Sequence, residues 1–358
     1  MTAEITPVEA QLPSSAQALA RAASQRAARS LAGETRRVYG TAMRQFAAFC
    51  QRQGFDNLPA EPRTVALFIE ERAQAGASGA SLDQSLSAIQ SAHELAALDS
   101  PTSKVLVRRL MGGVRRDLGV APTGQKAAVT VADLARMVEG LEDLRAQAEL
   151  DLAQATGQRE VAPSVAARKR ARGELGRARA QRLIALRDQA VLLLGFSSAL
   201  RRSNLSALTV EDLEWTDQGL VLTIRRSKTD QEGAGRRLAV PQGRKLCPPS
   251  MLRRWLDEAG LTTGPVFRAI DRHGHVSSKT RSPHSIGSIV KQAAARAGLD
   301  ATRYGGHSLR AGLVTESARA RKPLHAIMKP TGHASTDMAL RYVREAELFD
   351  DRAVEGLL

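Results

Sequence analysis

The sequence Gly306-His307-Ser308-Leu309-Arg310 has helical periodicity and places a histidine and an arginine three residues apart. Residues three apart on a helix lie on one face, so these two side chains are expected to project together. Six of the seven histidines lie between residues 273 and 333, and His333 is followed in the same C-terminal stretch by Tyr342. This concentration of ring and cationic groups marks the region as a candidate functional site.

Two upstream stretches add cationic groups to this set. The sequence Gly195-Phe-Ser-Ser-Ala-Leu-Arg201 ends an apolar helical run with an arginine. Residues 219–224 are rich in β-forming side chains, and residues 237–240 resume that pattern after a polar, glycine-containing turn, which predicts a β-hairpin. Lys228 lies at the edge of that hairpin, where a lysine often serves only solubility.

Helical periodicity covers most of the remaining chain. The ends of the predicted helices carry the expected capping and helix-breaking residues. Ser81 is predicted to cap the third helix, and Thr130 with Asp133 forms a capping-box pattern. The predicted helices span residues 34–53, 62–75, 81–97, 101–118, 130–145, 183–198, 249–259, 283–297, 307–320, 324–330 and 335–341. The sequence therefore predicts a mainly α fold with one small antiparallel sheet, in the α+β class.

Net charge narrows the class of partner. The 358 residues include 52 Lys and Arg against 37 Asp and Glu, a formal net charge of +15, which favours a polyanionic partner. Aromatic residues make up only 3% of the chain, too few for a protein that stacks single-stranded bases on rings. Double-stranded DNA held by its phosphates fits this composition better than a membrane surface does.

Several classes of protein and site are disfavoured. No apolar run is long enough to span a membrane, and residues 1–15 do not have the pattern of a secretory signal, so we expect a cytoplasmic, DNA-associated protein. Two cysteines support neither a disulfide framework nor a cysteine-rich zinc site. The His273-Gly-His275 sequence is interpreted as a loop rather than a metal site, and we expect no metal and no cofactor.

Composition along the chain predicts two domains. Residues 1–30 are predicted to be a flexible tail, 31–120 a helical domain, 121–130 a linker and 131–358 a second domain. The tail at 346–358 has apolar residues spaced for a short helix, which either docks on a neighbouring molecule or folds back on its own domain.

A basic segment within the second domain has two interpretations. Residues 146–181 are rich in Ala, Arg and Gln, and residues 168–182 contain seven Lys and Arg against one acid, Glu174. The segment is either an additional DNA contact or an exposed helical insertion, and the pattern slightly favours the insertion.

The order of these residues resembles the tyrosine recombinase (phage integrase) family, whose pattern is an Arg, a hairpin Lys, His-x-x-Arg, a second His or Trp, and a Tyr. The matching residues of this chain are Arg201, Lys228, His307, Arg310, His333 and Tyr342. The resemblance is strong over residues 130–350, and residues 34–119 resemble more loosely the family's SAM-like core-binding domain.

The resemblance implies a two-domain, C-shaped clamp around duplex DNA, with an N-terminal helical bundle and a C-terminal catalytic domain. It also implies site-specific DNA recombination or integration through a 3′-phosphotyrosine intermediate. Four protomers, a homotetramer on DNA, would exchange strands through a Holliday junction.

The matched residue types suit this chemistry. Tyr342 would attack a backbone phosphate, and the resulting phosphotyrosine ester would keep the bond energy for rejoining. Arg201 and Arg310 would hold the charge that develops on the non-bridging oxygens. We expect His307 to take the tyrosine proton, Lys228 to protonate the leaving 5′ oxygen, and His333 to hydrogen-bond the scissile phosphate.

Other basic residues are candidates for contacts with DNA phosphates, with a solvated surface as the alternative. The predicted fourth helix carries several of them on one broad flank. The candidates are Arg44, Lys104, Arg108, Arg109, Arg115, Arg202, Arg226, Arg281 and Lys291.

Two positions depart from the family pattern. Ala199 stands where the family usually has Gly, and Asn204 where it usually has Glu or Asp. Asn204 accepts or donates a hydrogen bond but cannot neutralise a neighbouring charge. Asn204 keeps open a catalytically weak DNA-binding regulator. A type IB-like topoisomerase, which shares the nucleophilic chemistry, is the other alternative function.

Overall fold

The computed structural model describes Leu19, residues 33–119, 126–225 and 235–332, and Thr336 and Leu340. The chain divides into two compact units, Met1–Thr123 and Gly124–Leu358. Each unit has its own hydrophobic core.

Residues 33–119 of the first unit form four α-helices around an aromatic core. They are α1 (Gly33–Gln53), α2 (Pro62–Gln74), α3 (Gly79–Leu95) and α4 (Val105–Leu118). Phe68 is buried between Phe46 and Phe49, with ring centroids 5.1 and 5.5 Å apart. Tilted ring pairs at such distances stabilise a core beyond the area that they bury.

The helix starts in this unit follow capping chemistry, with one correction. Ser78 rather than Ser81 caps α3, because the Ser78 side chain accepts a hydrogen bond from the backbone N–H of Ser81 at 3.3 Å. The prediction that Ser81 is the cap is therefore wrong. Ser100 accepts a hydrogen bond from the Thr102 N–H and caps a short 3₁₀ turn at Pro101–Ser103 that precedes α4.

The second unit is predominantly helical. Its helices are α5 (Val131–Glu160), α6 (Val165–Ser198), α7 (Arg202–Ala207), α8 (Pro248–Glu258), α9 (Pro283–Arg296), α10 (Ser308–Arg319) and α11 (Leu324–Thr331). The predicted capping box at the start of α5 is confirmed, with reciprocal bonds between Thr130 and Asp133 at 3.0 and 3.3 Å.

Helices α5 and α6 are much longer than predicted. The expected end of α5 near residue 145 and the expected start of α6 near 183 are both wrong, because the intervening segment continues both helices as a hairpin. Small residues on facing sides allow this close packing: Ala148, Ala155, Ala171 and Ala178 are all buried. The basic segment 146–181 thus forms the outer part of this α5–α6 hairpin.

The strands of the described residues form two small antiparallel sheets rather than the one predicted. The first is β1 (Leu213–Thr216), β2 (Gly219–Ile224) and β3 (Arg236–Pro241) in sequential order, with Leu222 opposite Leu238. The second is β4 (Arg268–Ile270) with β5 (Val276–Thr280). The predicted hairpin corresponds to β2 and β3. Strands β4 and β5 are short and only partly buried, so they lack the alternation of apolar and polar residues that indicates a strand.

The fold class is confirmed: the second unit is mainly α with small antiparallel sheets. Its core holds Trp255, whose Nε1 donates to the Val266 carbonyl oxygen at 2.9 Å. No helix among the described residues is long and apolar enough to cross a membrane.

Candidate active site

Arg310 is buried at the start of α10, with only 4% of its surface exposed. Its Nη1 donates to the Ala199 carbonyl oxygen at 2.8 Å. Ala199 ends α6 in the left-handed conformation, with φ of 49°. The family's usual glycine at this position is explained by that backbone angle, which glycine adopts without strain.

Arg201 follows Ala199 by two residues and immediately precedes α7. It is partly buried. Because the end of α6 is tied to Arg310 through Ala199, the two arginines required by the predicted pattern lie near each other. Their charges act together on the neighbouring His307.

His307 lies at the residue that precedes α10. Partial burial of the ring lowers the pKa of His307, and the positive charges of Arg310, Arg201 and Arg202 lower it further. An imidazole with a pKa below its ordinary ~6.5 is neutral at pH 7. A neutral ring is the form that accepts a proton.

Backbone contacts hold α10 in place. The Val129 N–H donates to the Ser308 carbonyl oxygen at 3.0 Å, and the Ser308 hydroxyl accepts from the Gly305 N–H at 3.0 Å. A Cβ atom at Gly195 of α6 would lie 2.7 Å from Leu309 Cδ1. Glycine at this position leaves room for the Leu309 side chain between α6 and α10.

Arg236 is a residue that the sequence pattern did not single out. From the start of β3, its guanidinium donates to the carbonyl oxygens of Lys329 and Pro330 at 3.2 and 3.0 Å. These carbonyls belong to the last turn of α11, where a cation is favourable. Burial and then the nearby charge of Arg201 lower the pKa of Arg236, so this arginine also lies close to the candidate site.

Gly332 shows how tightly Arg236 packs at this point. It ends α11 with φ of 59°, and a Cβ atom there would lie 2.7 Å from Arg236 Nη1. Arg236 therefore fixes the end of the helix that leads directly into His333. Its partners lie 93 and 94 residues away in the sequence, which explains why no local pattern revealed it.

Three predicted catalytic residues, Lys228, His333 and Tyr342, lie outside the described residues, as do Arg226 and the tail at 346–358. Strands β2 and β3 border the segment that contains Lys228, and α11 ends two residues before His333. The described part of the site is thus Arg201, His307 and Arg310, together with Arg236.

The predicted phosphate contacts of the first unit are exposed on its surface. Arg44 lies on α1, Lys104 immediately precedes α4, and Arg108 and Arg109 lie on α4. Arg115, also on α4, forms an ion pair with Asp83 at 2.6 Å.

The predicted contacts of the second unit differ in their surroundings. Lys291 and Arg202 are exposed, and the Arg202 stem packs over Gly306 next to His307. Arg281 is only partly exposed, and burial lowers its pKa near the buried Arg187–Asp188 pair. Its Nε atom is buried without a hydrogen-bond partner among the described residues, so Arg281 is better placed to pack than to reach a phosphate.

The His273-Gly-His275 sequence is a turn, as predicted. Asp271 accepts hydrogen bonds from the His273 and His275 N–H groups at 2.7 and 3.0 Å, and these bonds, with the His275 ring, lower the pKa of Asp271 to about 2. Within the described part of the chain, no group of three His, Cys, Asp or Glu residues is arranged to hold a metal ion.

Two arginines next to a histidine of lowered pKa can stabilise negative charge that develops on a phosphate and can accept a proton. Residues 175–348 match the model of the phage integrase family. The chain is 29% identical over 340 residues to the integrase/recombinase XerD homolog of Selenomonas ruminantium. The alignment covers 94% of this chain and 88% of the relative. Residues 175–348 therefore form a phage integrase domain, which identifies the protein as a tyrosine recombinase.

Two further comparisons agree with this assignment. Recombinase Cre of Escherichia phage P1 is 24% identical over 176 residues, covering 45% of this chain and 50% of Cre. The structure of the XerH site-specific recombinase, in a post-cleavage complex with palindromic difH substrate, is similar in fold with a TM-score of 0.58 at 16% identity. That similarity covers 97% of this chain and 84% of XerH.

Proposed function

We propose that the chain is a site-specific DNA recombinase in which Tyr342 attacks the DNA backbone at the site formed by Arg201, His307 and Arg310. The observation that carries the proposal is the convergence of two arginines on a histidine whose pKa is lowered. Membership of a family that cleaves and rejoins DNA supports it.

Cleavage follows from the chemistry of these groups. The Tyr342 oxygen forms a bond to the scissile phosphorus as the bond from phosphorus to the 5′ oxygen breaks. The tyrosine proton passes to His307, and Lys228 supplies a proton to the departing 5′ oxygen. The DNA 3′ end is then joined to Tyr342, and attack by a 5′ hydroxyl reverses the reaction without an external energy source.

The arginines favour the transition state over the ground state. Attack on the phosphate places additional negative charge on the non-bridging oxygens, and two guanidinium groups hold it in fixed positions. Arg310 is preorganised by its bond to Ala199, so little rearrangement is needed when the phosphate arrives. His333 adds a hydrogen bond to the same phosphate.

Duplex DNA with specific recombination sites is the partner that we propose, and four protomers on two such sites are the proposed assembly. The net charge of +15 supports a DNA partner. XerH is bound to a palindromic substrate, and a palindrome presents the same half-site to two protomers of one protein.

A plasmid assay separates this function from topoisomerase-like activity. The recombination site is first identified from a pool of randomised duplexes. The duplexes that become covalently attached to the protein are recovered and sequenced. Two copies of that site are then placed on one plasmid. We expect deletion or inversion of the intervening DNA with the wild-type protein and none with Tyr342→Phe, whereas relaxation of supercoils without any exchange would contradict recombination.

A further inference from the structure

The outer part of the α5–α6 hairpin carries positive charge that forms no ion pair with the other residues that the structure describes. Near the base of the hairpin the arginines are paired: Arg145 with Glu142 and Glu149, and Arg182 with Glu149 and Glu258. Farther out, six basic residues of α6 form no ion pair or hydrogen bond among the described residues: Arg168, Lys169, Arg170, Arg172, Arg177 and Arg179.

Three of these residues lie on one side of α6. At 100° per residue, Arg168, Arg172 and Arg179 fall within about 40° of one another on the helix circumference. All three are exposed. Like charges four residues apart, such as Arg168 and Arg172, destabilise a helix. These charges therefore destabilise the helix that carries them. A cost of this kind favours the interpretation that the charges bind an external polyanion.

The same side of α6 meets the turn between β4 and β5. A Cβ atom at Gly176 would lie 3.1 Å from His273 Cα, and one at Gly274 would lie 2.6 Å from Arg179 Cγ. Two glycines thus allow the turn to pack directly on the helix. This packing brings exposed Arg272 and His273 next to Arg179, while the Asp271 carboxylate is engaged by backbone N–H groups and His275.

We propose that Arg168, Arg172 and Arg179, extended by Arg272, form a second surface that binds duplex DNA through its phosphates. The proposal rests on the proposed function and extends it to DNA flanking the scissile phosphate. Thirty residues separate Arg168 from Ser198 at the end of α6, or about 45 Å of helix at a rise of about 1.5 Å per residue. That distance is the length of roughly 13 base pairs at about 3.4 Å each.

A matched pair of double variants tests this surface. Arg168→Gln with Arg172→Gln removes two charges from the proposed surface. Arg170→Gln with Arg177→Gln removes two exposed charges from the opposite side of the same helix. Both variants should keep the wild-type circular dichroism spectrum and melting temperature, because none of the four side chains is buried.

The measurement is the salt dependence of binding to a 40-base-pair duplex of arbitrary sequence. Each lost phosphate contact lowers the slope of log K against log salt by about 0.9, so we expect the first variant to lower the slope by about 2 and the second to leave it unchanged. Equal slopes for wild type and the first variant, or equal losses for both variants, would overturn the proposal. Failure of the wild-type protein to bind the duplex would instead count against the proposed function itself.

Discussion

At the scale of the residue, the site depends on one histidine and one arginine with different environments. Arg310 is buried and fixed by the Ala199 carbonyl. The His307 side chain reaches the surface, while partial burial of its ring and three arginines lower its pKa. The sequence predicted both residues because His-x-x-Arg sets their spacing. The fixed position of Arg310 depends on the left-handed backbone at Ala199, which an alanine does not indicate.

The pKa of His307 leads to a prediction about pH. A base must be deprotonated to act, so the cleavage rate should fall as the pH decreases through the pKa of His307. Because that pKa is lowered from its ordinary value of 6.5, the pH of half-maximal activity should lie below 6.5. Single-turnover rates of covalent adduct formation from pH 5 to 8 measure this, and half-maximal activity at or above pH 6.5 would contradict it.

Replacement of Arg310 by Lys should strongly reduce cleavage. A lysine cannot hold both the Ala199 carbonyl and a phosphate with a planar fork of donors, so we expect adduct formation to slow by about 10²- to 10³-fold. Arg319→Lys on the same helix is the control, since Arg319 is exposed and pairs only with Glu316 among the described residues. A loss of less than about tenfold with Arg310→Lys would argue against this role.

At the scale of the element, long-range contacts determine what local patterns do not. Helices of the first unit were predicted to within a few residues because glycine, serine and proline mark their ends. The full length of the α5–α6 hairpin was not predicted, because its two helices are extended by the packing of small residues against each other. Arg236 belongs to the same class of feature, since it joins the start of β3 to the end of α11.

Loss of the Arg236 guanidinium should disturb the end of α11. Arg236→Gln removes the donors to Lys329 and Pro330, and we expect cleavage to slow by at least about tenfold, the effect of about 1.4 kcal/mol on the barrier. Arg237→Gln is the matched control, because Arg237 is the next residue of β3 but is exposed and pairs with Glu214. The rates of adduct formation should separate the two variants, and equal rates would show that Arg236 has no positioning role.

At the scale of the whole molecule, the two units have separate cores. Phe68 packs with Phe46 and Phe49 in the first unit, whereas the core of the second unit includes Trp255 and Phe267. Both tryptophans of the chain, Trp215 and Trp255, lie in the second unit. Tryptophan fluorescence therefore follows the unfolding of that unit alone.

Phe68→Ala should destabilise only the first unit. Removal of a buried phenylalanine costs about 3–5 kcal/mol, so urea unfolding followed by far-ultraviolet circular dichroism should begin at lower concentration, while the tryptophan fluorescence transition stays in place. Phe267→Ala is the complementary control and should shift the fluorescence transition. A shift of that transition by Phe68→Ala would mean that the two units unfold together.

The identity of the nucleophile is the central claim, and covalent trapping tests it most directly. On a nicked duplex the short cleaved strand diffuses away, so the protein stays attached to DNA and is detected on a denaturing gel. The control is Tyr304→Phe, because Tyr304 is buried and donates to Asp133 Oδ2 at 3.2 Å. We predict an adduct with the wild-type protein and with Tyr304→Phe but none with Tyr342→Phe. An adduct that survives Tyr342→Phe would contradict the assignment.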